Sequence, residues 1–343
     1  MGVCVKAPQT KGTSSFRDSY TPRPRRENGR VRPSPVPHGR TARRLEWAHL
    51  PPAVRAAIEE QCGAPVVAAT SQTSGFTPGF ASVLECSDGS RHFVKAASTK
   101  AQRMFADAYR EEARKLAALP ASAPAPPLRW TVDVEDWFAL STEYVEARQP
   151  SRPWVDAELR PCLDALTAAV PVLTPAPTEL ALPPAAEEFA AWPSYWEHLR
   201  RTQPDLPHLE AAAELAGRYV EAMTGETLVH TDVRDDNLLL TADGRVLLCD
   251  WNWPMIGAAW LDSLFLLIGP RGDGLDVESI LSTHPLLSVV PAEHVDIVLA
   301  LVIGYFLKSA DDPVPATSPY IRDAQRWQGE VCWDWLSERR GWR

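Results

Sequence analysis

The chain has 343 residues, 45% hydrophobic and 23% charged, enough to bury a sizeable core in one bilobal domain or two modest ones. Its net charge of −9 is unevenly split: residues 1–45 carry +9 and the remainder −18. A body that acidic repels phosphate backbones, which argues against nucleic acid as a partner and favours a cationic small molecule.

The six cysteines, Cys4, Cys62, Cys86, Cys162, Cys249 and Cys332, include no C-x-x-C pair. They offer neither a zinc knuckle nor a disulfide scaffold, and the expectation is reduced thiols, mostly packed in the interior. The longest strongly apolar run, Ile297 to Leu307, has eleven residues, against about 20 needed to cross a bilayer. No membrane span and no secretory h-region is read, so the expected location is the cytoplasm. No obligate protein partner is evident.

In chain order, residues 1–45 are rich in Arg, Pro, Ser and Gly and read as a disordered basic arm. Pro51-Pro52 opens a helix that ends at Gly63. Strands are expected over 65–70, 81–86 and 91–96, the last two joined by the turn Ser87-Asp88-Gly89-Ser90. A helix over 99–119, stopped by Pro120, and strands over 130–134 and 137–144 complete an N-terminal lobe, residues 46–146. Residues 147–343 read as a larger, mostly helical lobe, with helices over 156–169, 185–200, 208–223, 258–267, 277–281, 292–308 and 319–338. One β-rich island interrupts it, with strands over 227–229, 238–240 and 246–249 and Thr241-Ala-Asp-Gly244 as the turn.

The island carries the most informative residues: His230-Thr-Asp232-Val-Arg234-Asp-Asp-Asn237, a hairpin, then Asp250-Trp-Asn252. An Asp and an Asn five apart on a loop, with a second Asp at the end of the next strand, fit the needs of phosphoryl transfer from a nucleotide. One carboxylate orients the substrate hydroxyl and accepts its proton; a carboxylate and an amide oxygen hold Mg²⁺, a hard cation, against the phosphates.

On these residues the sequence resembles the aminoglycoside phosphotransferase family, whose loop usually reads H-G-D-x-x-x-x-N followed by I-D-W/F. The resemblance runs from about Leu45 to the C-terminus and is strongest over Leu228 to Asp262. It implies an α+β, bilobal protein-kinase-like fold: a small antiparallel β-sheet lobe with one main helix, and a larger, mostly α-helical lobe. It also implies that Asp232 is the catalytic base, that Asn237 and Asp250 are Mg²⁺ ligands, and that His230 braces the loop. Asp262, twelve residues past Asp250, resembles the aspartate that anchors this loop through its backbone. Thr231 stands where the family usually has Gly, and Asn252 where an acidic residue often follows Asp-Trp. Arg234 either neutralises the transferring phosphoryl group or is a surface Arg paired with Asp235 or Asp236.

In the first lobe, Lys95 lies mid-strand in Phe93-Val94-Lys95-Ala96-Ala97. Either its ammonium has a partner or it is an edge-strand Lys pointing to solvent. In the fold implied, such a Lys contacts the α/β-phosphates and pairs with a helix Glu. Glu112 is the candidate, matching the family's E-A-x-x-L pattern, with Glu111 as the other choice. Gly75 and Gly79, in the loop from Ser74 to Phe80, are expected to cover the phosphates, and Glu143 and Val145 at the lobe junction to meet the nucleobase through backbone groups. ATP and GTP remain equal candidates as donor.

Twelve residues from Asp250 to Asp262, with no Asp-Phe-Gly or Ala-Pro-Glu, leave no room for a long activation segment that docks a peptide. The expected substrate is therefore a small molecule between the 230–237 loop and the C-terminal helices. Carboxylates of Asp262, Asp311, Asp312, Asp323, Glu330 and Asp334 and the rings of Trp253, Trp260, Trp327, Trp333 and Trp335 are the expected lining. Such a lining suits an amino sugar, a peptide antibiotic or a quaternary amine. The alternatives are a metabolic kinase for choline, a sugar or homoserine, and a non-catalytic nucleotide-binding module.

Overall fold

The structure, a computed structural model, describes residues 31–39, 41–75 and 79–342. The first lobe runs α1 (Pro52–Cys62), β1 (Val66–Ser71), β2 (Phe80–Cys86), β3 (Arg91–Ser98), α2 (Arg103–Ala118), β4 (Leu128–Val134) and β5 (Trp137–Glu143). Its strands form one antiparallel five-stranded sheet in the order β1-β2-β3-β5-β4. The alternation of side chains along a strand decides what each face meets. Val94 and Ala96 turn to the α1 side, where they pack with Val54, Ile58, Phe80 and Leu84. Lys95 and Ala97 therefore turn to the α2 side, where Ala97 packs with Ala106, Tyr109, Ala113 and Leu140.

The second lobe holds β6 (Ala147–Arg148), α3 (Asp156–Leu173), α4 (Ala185–Glu188), α5 (Trp196–Thr202), α6 (Leu209–Gly217), α7 (Tyr219–Met223), β7 (Thr227–Val229), β8 (Leu238–Thr241), β9 (Val246–Leu248), β10 (Met255–Gly257), α8 (Leu261–Gly272), α9 (Val277–Thr283), α10 (Ala292–Ala310) and α11 (Ile321–Arg339). Helix α10, buried on nearly every face from Val295 to Leu307, is the axis of the lobe's core. Its apolar run is thus a core helix, and no helix among the described residues is long and apolar enough to cross a membrane.

Several expected elements are divided or extended. The helix expected over 185–200 is α4, a turn of 3₁₀ helix over Trp192–Tyr195, and α5; the one over 208–223 breaks into α6 and α7 at Arg218. The two-residue β6 and the three-residue β10 were too short to show periodicity. They pair with β8 and β7 and close the island that carries the 230–237 loop.

The largest correction concerns the arm expected over residues 1–45. Residues 1–30 and 40 lie outside the described residues, but 31–39 and 41–45 are built into the molecule as a strap across both lobes. Arg32 ion-pairs with Asp334 and Glu330 on α11. Its backbone N–H donates to Gly272 O at 2.7 Å, and its carbonyl accepts from Trp327 Nε1 at 2.6 Å. Val36, Thr41 and Ala42 are buried. Composition reads this stretch as disordered because its partners are remote in sequence, Arg32 meeting α11 and Thr41, Ala42 and Arg44 meeting residues 73–75.

Candidate active site

Strand β3 and helix α2 set the first half of the site. Lys95 Nζ donates to both carboxylate oxygens of Glu112, at 2.7 and 2.8 Å, and to Asp250 Oδ1 at 2.9 Å. Glu111, about 100° further round the helix, turns away and pairs with Arg114. Burial pushes the Lys95 pKa down, but Asp250 and Glu112 more than reverse this, so the ammonium stays charged. Burial likewise pushes Asp250 up, and Lys95 overrides it, holding the carboxyl below its usual range.

The 230–237 loop is fixed from beneath by the first turn of α8. Asp262 accepts from the backbone N–H groups of His230 at 2.7 Å and Thr231 at 2.8 Å. Thr231 has φ +64°, a left-handed conformation costly for a β-branched residue. Its hydroxyl donates to Trp253 O at 2.7 Å, which offsets part of the strain where glycine would have none. His230 is buried, with Nε2 3.0 Å from Cys249 O and Nδ1 3.3 Å from the Asp232 N–H. Those partners require the proton on Nε2 and an accepting Nδ1, the neutral tautomer. Burial favours the same state by lowering the pKa against the pull of Asp262.

Asp232 faces Arg234, whose guanidinium lies 3.4 Å from its Oδ2 and binds Asp236 at 3.0 and 3.2 Å. Burial alone would raise the Asp232 carboxyl; the Arg234 charge helps hold it well below the usual range. Asp235 pairs with Arg152. Arg234 is thus both paired with Asp236 and placed against Asp232. Asn237 donates Nδ2 to Asp232 O at 2.9 Å and to Oδ2 at 3.2 Å, so its amide oxygen is the group left for a cation. Asn252, read as a departure from the acidic residue that often follows Asp-Trp, donates to Asp250 Oδ1.

Of the expected loop over Ser74 to Phe80, residues 76–78 lie outside the described residues. Gly75 has φ +82°, and its carbonyl accepts from Thr41 Oγ1 of the strap at 2.6 Å. A Cβ on Gly79, φ +149°, would lie 2.7 Å from the Tyr109 hydroxyl. Glu143 ends β5 and donates its N–H to Pro127 O at 2.8 Å, while its side chain pairs with Arg129. Val145 is half-buried in the short link to β6.

A cleft lies beside the loop, walled by Val233 to Asp236, by Phe265, Gly269 and Asp273, by Trp327 and Gln328, by Arg152 and Trp154, and by Ser34, Val36 to Gly39 and Thr41 of the strap. Of the expected acidic and aromatic lining, Trp327 is there. The rest is corrected: Trp260 and Trp335 are core residues, Trp333 packs on Trp342, Trp253 is half-buried and meets the Thr231 hydroxyl through its carbonyl, and Asp323 is exposed in the first turn of α11. Asp262 anchors the loop, Asp311 binds Arg326 and His198, Asp312 binds Lys308, and Glu330 and Asp334 hold Arg32. The strap wall and Asp235, Asp236 and Asp273 were not foreseen as lining; the acidic pair adjoining Asn237 was the one visible signal.

The model of the phosphotransferase enzyme family matches residues 82–280. No curated protein sequence matches the chain significantly. Among solved structures, a thermostable mutant of an aminoglycoside phosphotransferase in ternary complex with ADP and hygromycin B is similar at a TM-score of 0.57 and 14% identity, over 84% of this chain and 98% of that one. A choline kinase from Streptococcus pneumoniae is similar at 0.54 and 15% identity, over 82% of this chain and 99% of that one. A spectinomycin phosphotransferase bound to AMP is similar at 0.54 and 9% identity, over 82% and 97%.

Proposed function

The chain belongs to the phosphotransferase enzyme family, and we propose that it transfers the γ-phosphoryl group of ATP or GTP to a hydroxyl of a small, cationic molecule such as an aminoglycoside-like antibiotic. The observation that carries this reading is the reach of Lys95 from β3 to both Glu112 and Asp250, directly beside the loop of Asp232 and Asn237. A buried ammonium shared by two carboxylates is freed for phosphate oxygens once the phosphates arrive.

The residues fit a magnesium ion: Asp250 is held ionised and Asn237 keeps its amide oxygen unoccupied by Asp232, a pair of hard oxygen donors that would hold Mg²⁺. When bound, Mg²⁺ neutralises charge on the nucleotide phosphates. Lys95 holds those phosphates from the other lobe, with the backbone at Gly75 and at Gly79 over them and that of Glu143 and Val145 at the nucleobase. Asp232 orients the acceptor hydroxyl. The acceptor oxygen bonds to the γ-phosphorus as the bridging bond to the β-phosphate breaks, leaving a nucleoside diphosphate, and the hydroxyl proton passes to Asp232. A carboxylate held at low pKa is a weak base, so it takes that proton late, after the oxygen has become acidic through bonding to phosphorus. Arg234 offsets negative charge on the transferring group, and His230 acts through the loop it braces.

The small-molecule acceptor rests on the short route from Asp250 to Asp262, which forms only β10 against β7. Its cationic character rests on the acidic body of the chain, residues 46–343 carrying −18. The cytoplasm, which supplies the nucleotide, is the compartment proposed.

The test is nucleotide consumption with Mg²⁺, in separate ATP and GTP reactions, over aminoglycosides, cyclic peptide antibiotics, macrolides, choline and amino sugars. Asp232→Asn should abolish turnover and keep the thermal shift given by Mg²⁺-nucleotide. Near-normal turnover in that variant removes Asp232 from the role of base. A choline or sugar hit alone makes the enzyme a metabolic kinase, and absence of both turnover and nucleotide binding makes it a non-catalytic module.

A further inference from the structure

On the face of the first lobe away from Lys95, three side chains from three elements converge. Cys62 is the last residue of α1, Cys86 the last of β2, and His92 the second of β3. His92 pairs in register with Leu84, and Leu84 and Cys86 are two apart on β2, so all three share the sheet face that α1 covers. The two sulfurs and an imidazole nitrogen lie within 4.8 Å of one another. Ligand atoms around a tetrahedral zinc ion lie about 3.5 to 3.8 Å apart, from bond lengths near 2.3 Å to sulfur and 2.0 Å to nitrogen. Small rotations of the side chains close the difference.

The hydrogen bonds around His92 supply the second observation. Ser90 Oγ donates to Asp88 Oδ1 at 2.7 Å and lies 3.1 Å from His92 Nε2. A hydroxyl whose proton is committed to Asp88 is an acceptor towards the ring, so Nε2 carries the imidazole proton and Nδ1 keeps its lone pair. This histidine–serine–carboxylate chain is the kind of outer support that orients a metal-binding imidazole.

We propose that Cys62, Cys86 and His92 form a binding site for one zinc ion, through two thiolates and one imidazole nitrogen, with water in the fourth position. The ion neutralises the two thiolates it creates, and the two protons released go to solvent. Glu59 and Asp88 add negative potential at the site. Zinc there ties the end of α1 to the hairpin that leads, three residues past His92, to Lys95. The expectation that the cysteines offer no zinc site concerned C-x-x-C spacing; here the ligands come together only through the fold.

The test uses the full chain, purified under reductant, stripped with chelator and titrated with Co²⁺ without oxygen. The expected result is one equivalent of Co²⁺ giving a near-ultraviolet thiolate charge-transfer band and the visible bands of tetrahedral cobalt, all displaced by Zn²⁺. Cobalt at the oxygen ligands Asn237 and Asp250 gives no thiolate band, so the two sites are read separately and the outcome is independent of the proposed kinase activity. Cys86→Ser and His92→Gln should each weaken or remove the band, while Cys162→Ser, in the other lobe, should keep it. Circular dichroism checks that each variant is folded, and Zn²⁺ should raise the melting temperature of the parent but not of Cys86→Ser. Absence of the band in the parent, or a band undiminished in both Cys86→Ser and His92→Gln, overturns the proposal.

Discussion

Replacing Asp262 with alanine tests the support of the 230–237 loop most directly. The carboxylate is 7% exposed and is the acceptor for two buried backbone donors, His230 N–H at 2.7 Å and Thr231 N–H at 2.8 Å. A buried donor left without an acceptor costs about 1–3 kcal/mol, so losing both costs roughly 2 to 6 kcal/mol. Burial of the carboxylate works the other way, raising its pKa against the stabilising His230 and the two N–H groups. Removing that strained charge returns part of the loss and sets the expectation near the lower half, about 2 to 4 kcal/mol. Asp262→Asn keeps one accepting oxygen and should lose about half as much. Urea denaturation measures this as a lower midpoint at unchanged slope. Turnover supplies the second readout, because the loop carries Asp232, and a displacement of about 1 Å in a reacting group costs on the order of 10²-fold. An alanine variant within about 0.5 kcal/mol of the parent, the range of an ordinary surface substitution, would refute the anchoring role.

Arg234→Gln removes the positive charge that helps hold Asp232 down while leaving its burial in place, so the Asp232 pKa should rise. In the parent a depressed carboxylate stays ionised as pH falls, and Asp232 imposes no loss of turnover between pH 7 and 5; in the variant the acidic limb should move to higher pH, read from a pH–rate profile. An unchanged limb would separate Arg234 from the ionisation of Asp232. Thr231→Gly should be more stable than Thr231→Ala by about 1 kcal/mol, because both lose the hydroxyl bond to Trp253 O and only glycine relieves the φ of +64°; equal melting temperatures would contradict this. Deleting residues 1–44 should lower the melting temperature and speed acceptor-independent nucleotide hydrolysis, since the strap walls the cleft and holds Ser74 and Gly75 through Arg44 and Thr41. Unchanged stability and hydrolysis would make the strap a passive surface feature.

Much of this site was legible because its parts are local. Asp232 and Asn237 share one loop, the hairpin to Asp250 is short, and the turn Thr241 to Gly244 announces it. Lys95 was conspicuous as a charge in an apolar strand, and strand alternation alone puts it opposite Val94 and Ala96. The tryptophans were less informative: Trp327 and Trp335 lie on one helix, yet one lines the cleft and the other is core. Their identity speaks of apolar area, and only the packing of α11 against α8 and α10 says which area is covered.

Residue identity and short spacing determined the chemistry-bearing loop, the sheet-bearing first lobe and the helical second lobe, because hydrophobic period, turn residues and backbone preference act over a few residues. Tertiary structure decided the rest. The rotation of α2 chooses Glu112 over Glu111 for Lys95. The strap exists because Arg32 meets Asp334 across 302 positions of sequence. Cys62, Cys86 and His92 become neighbours only when α1 lies on the hairpin. Contacts between distant residues depend on how whole elements pack, and no pattern within a single element encodes that.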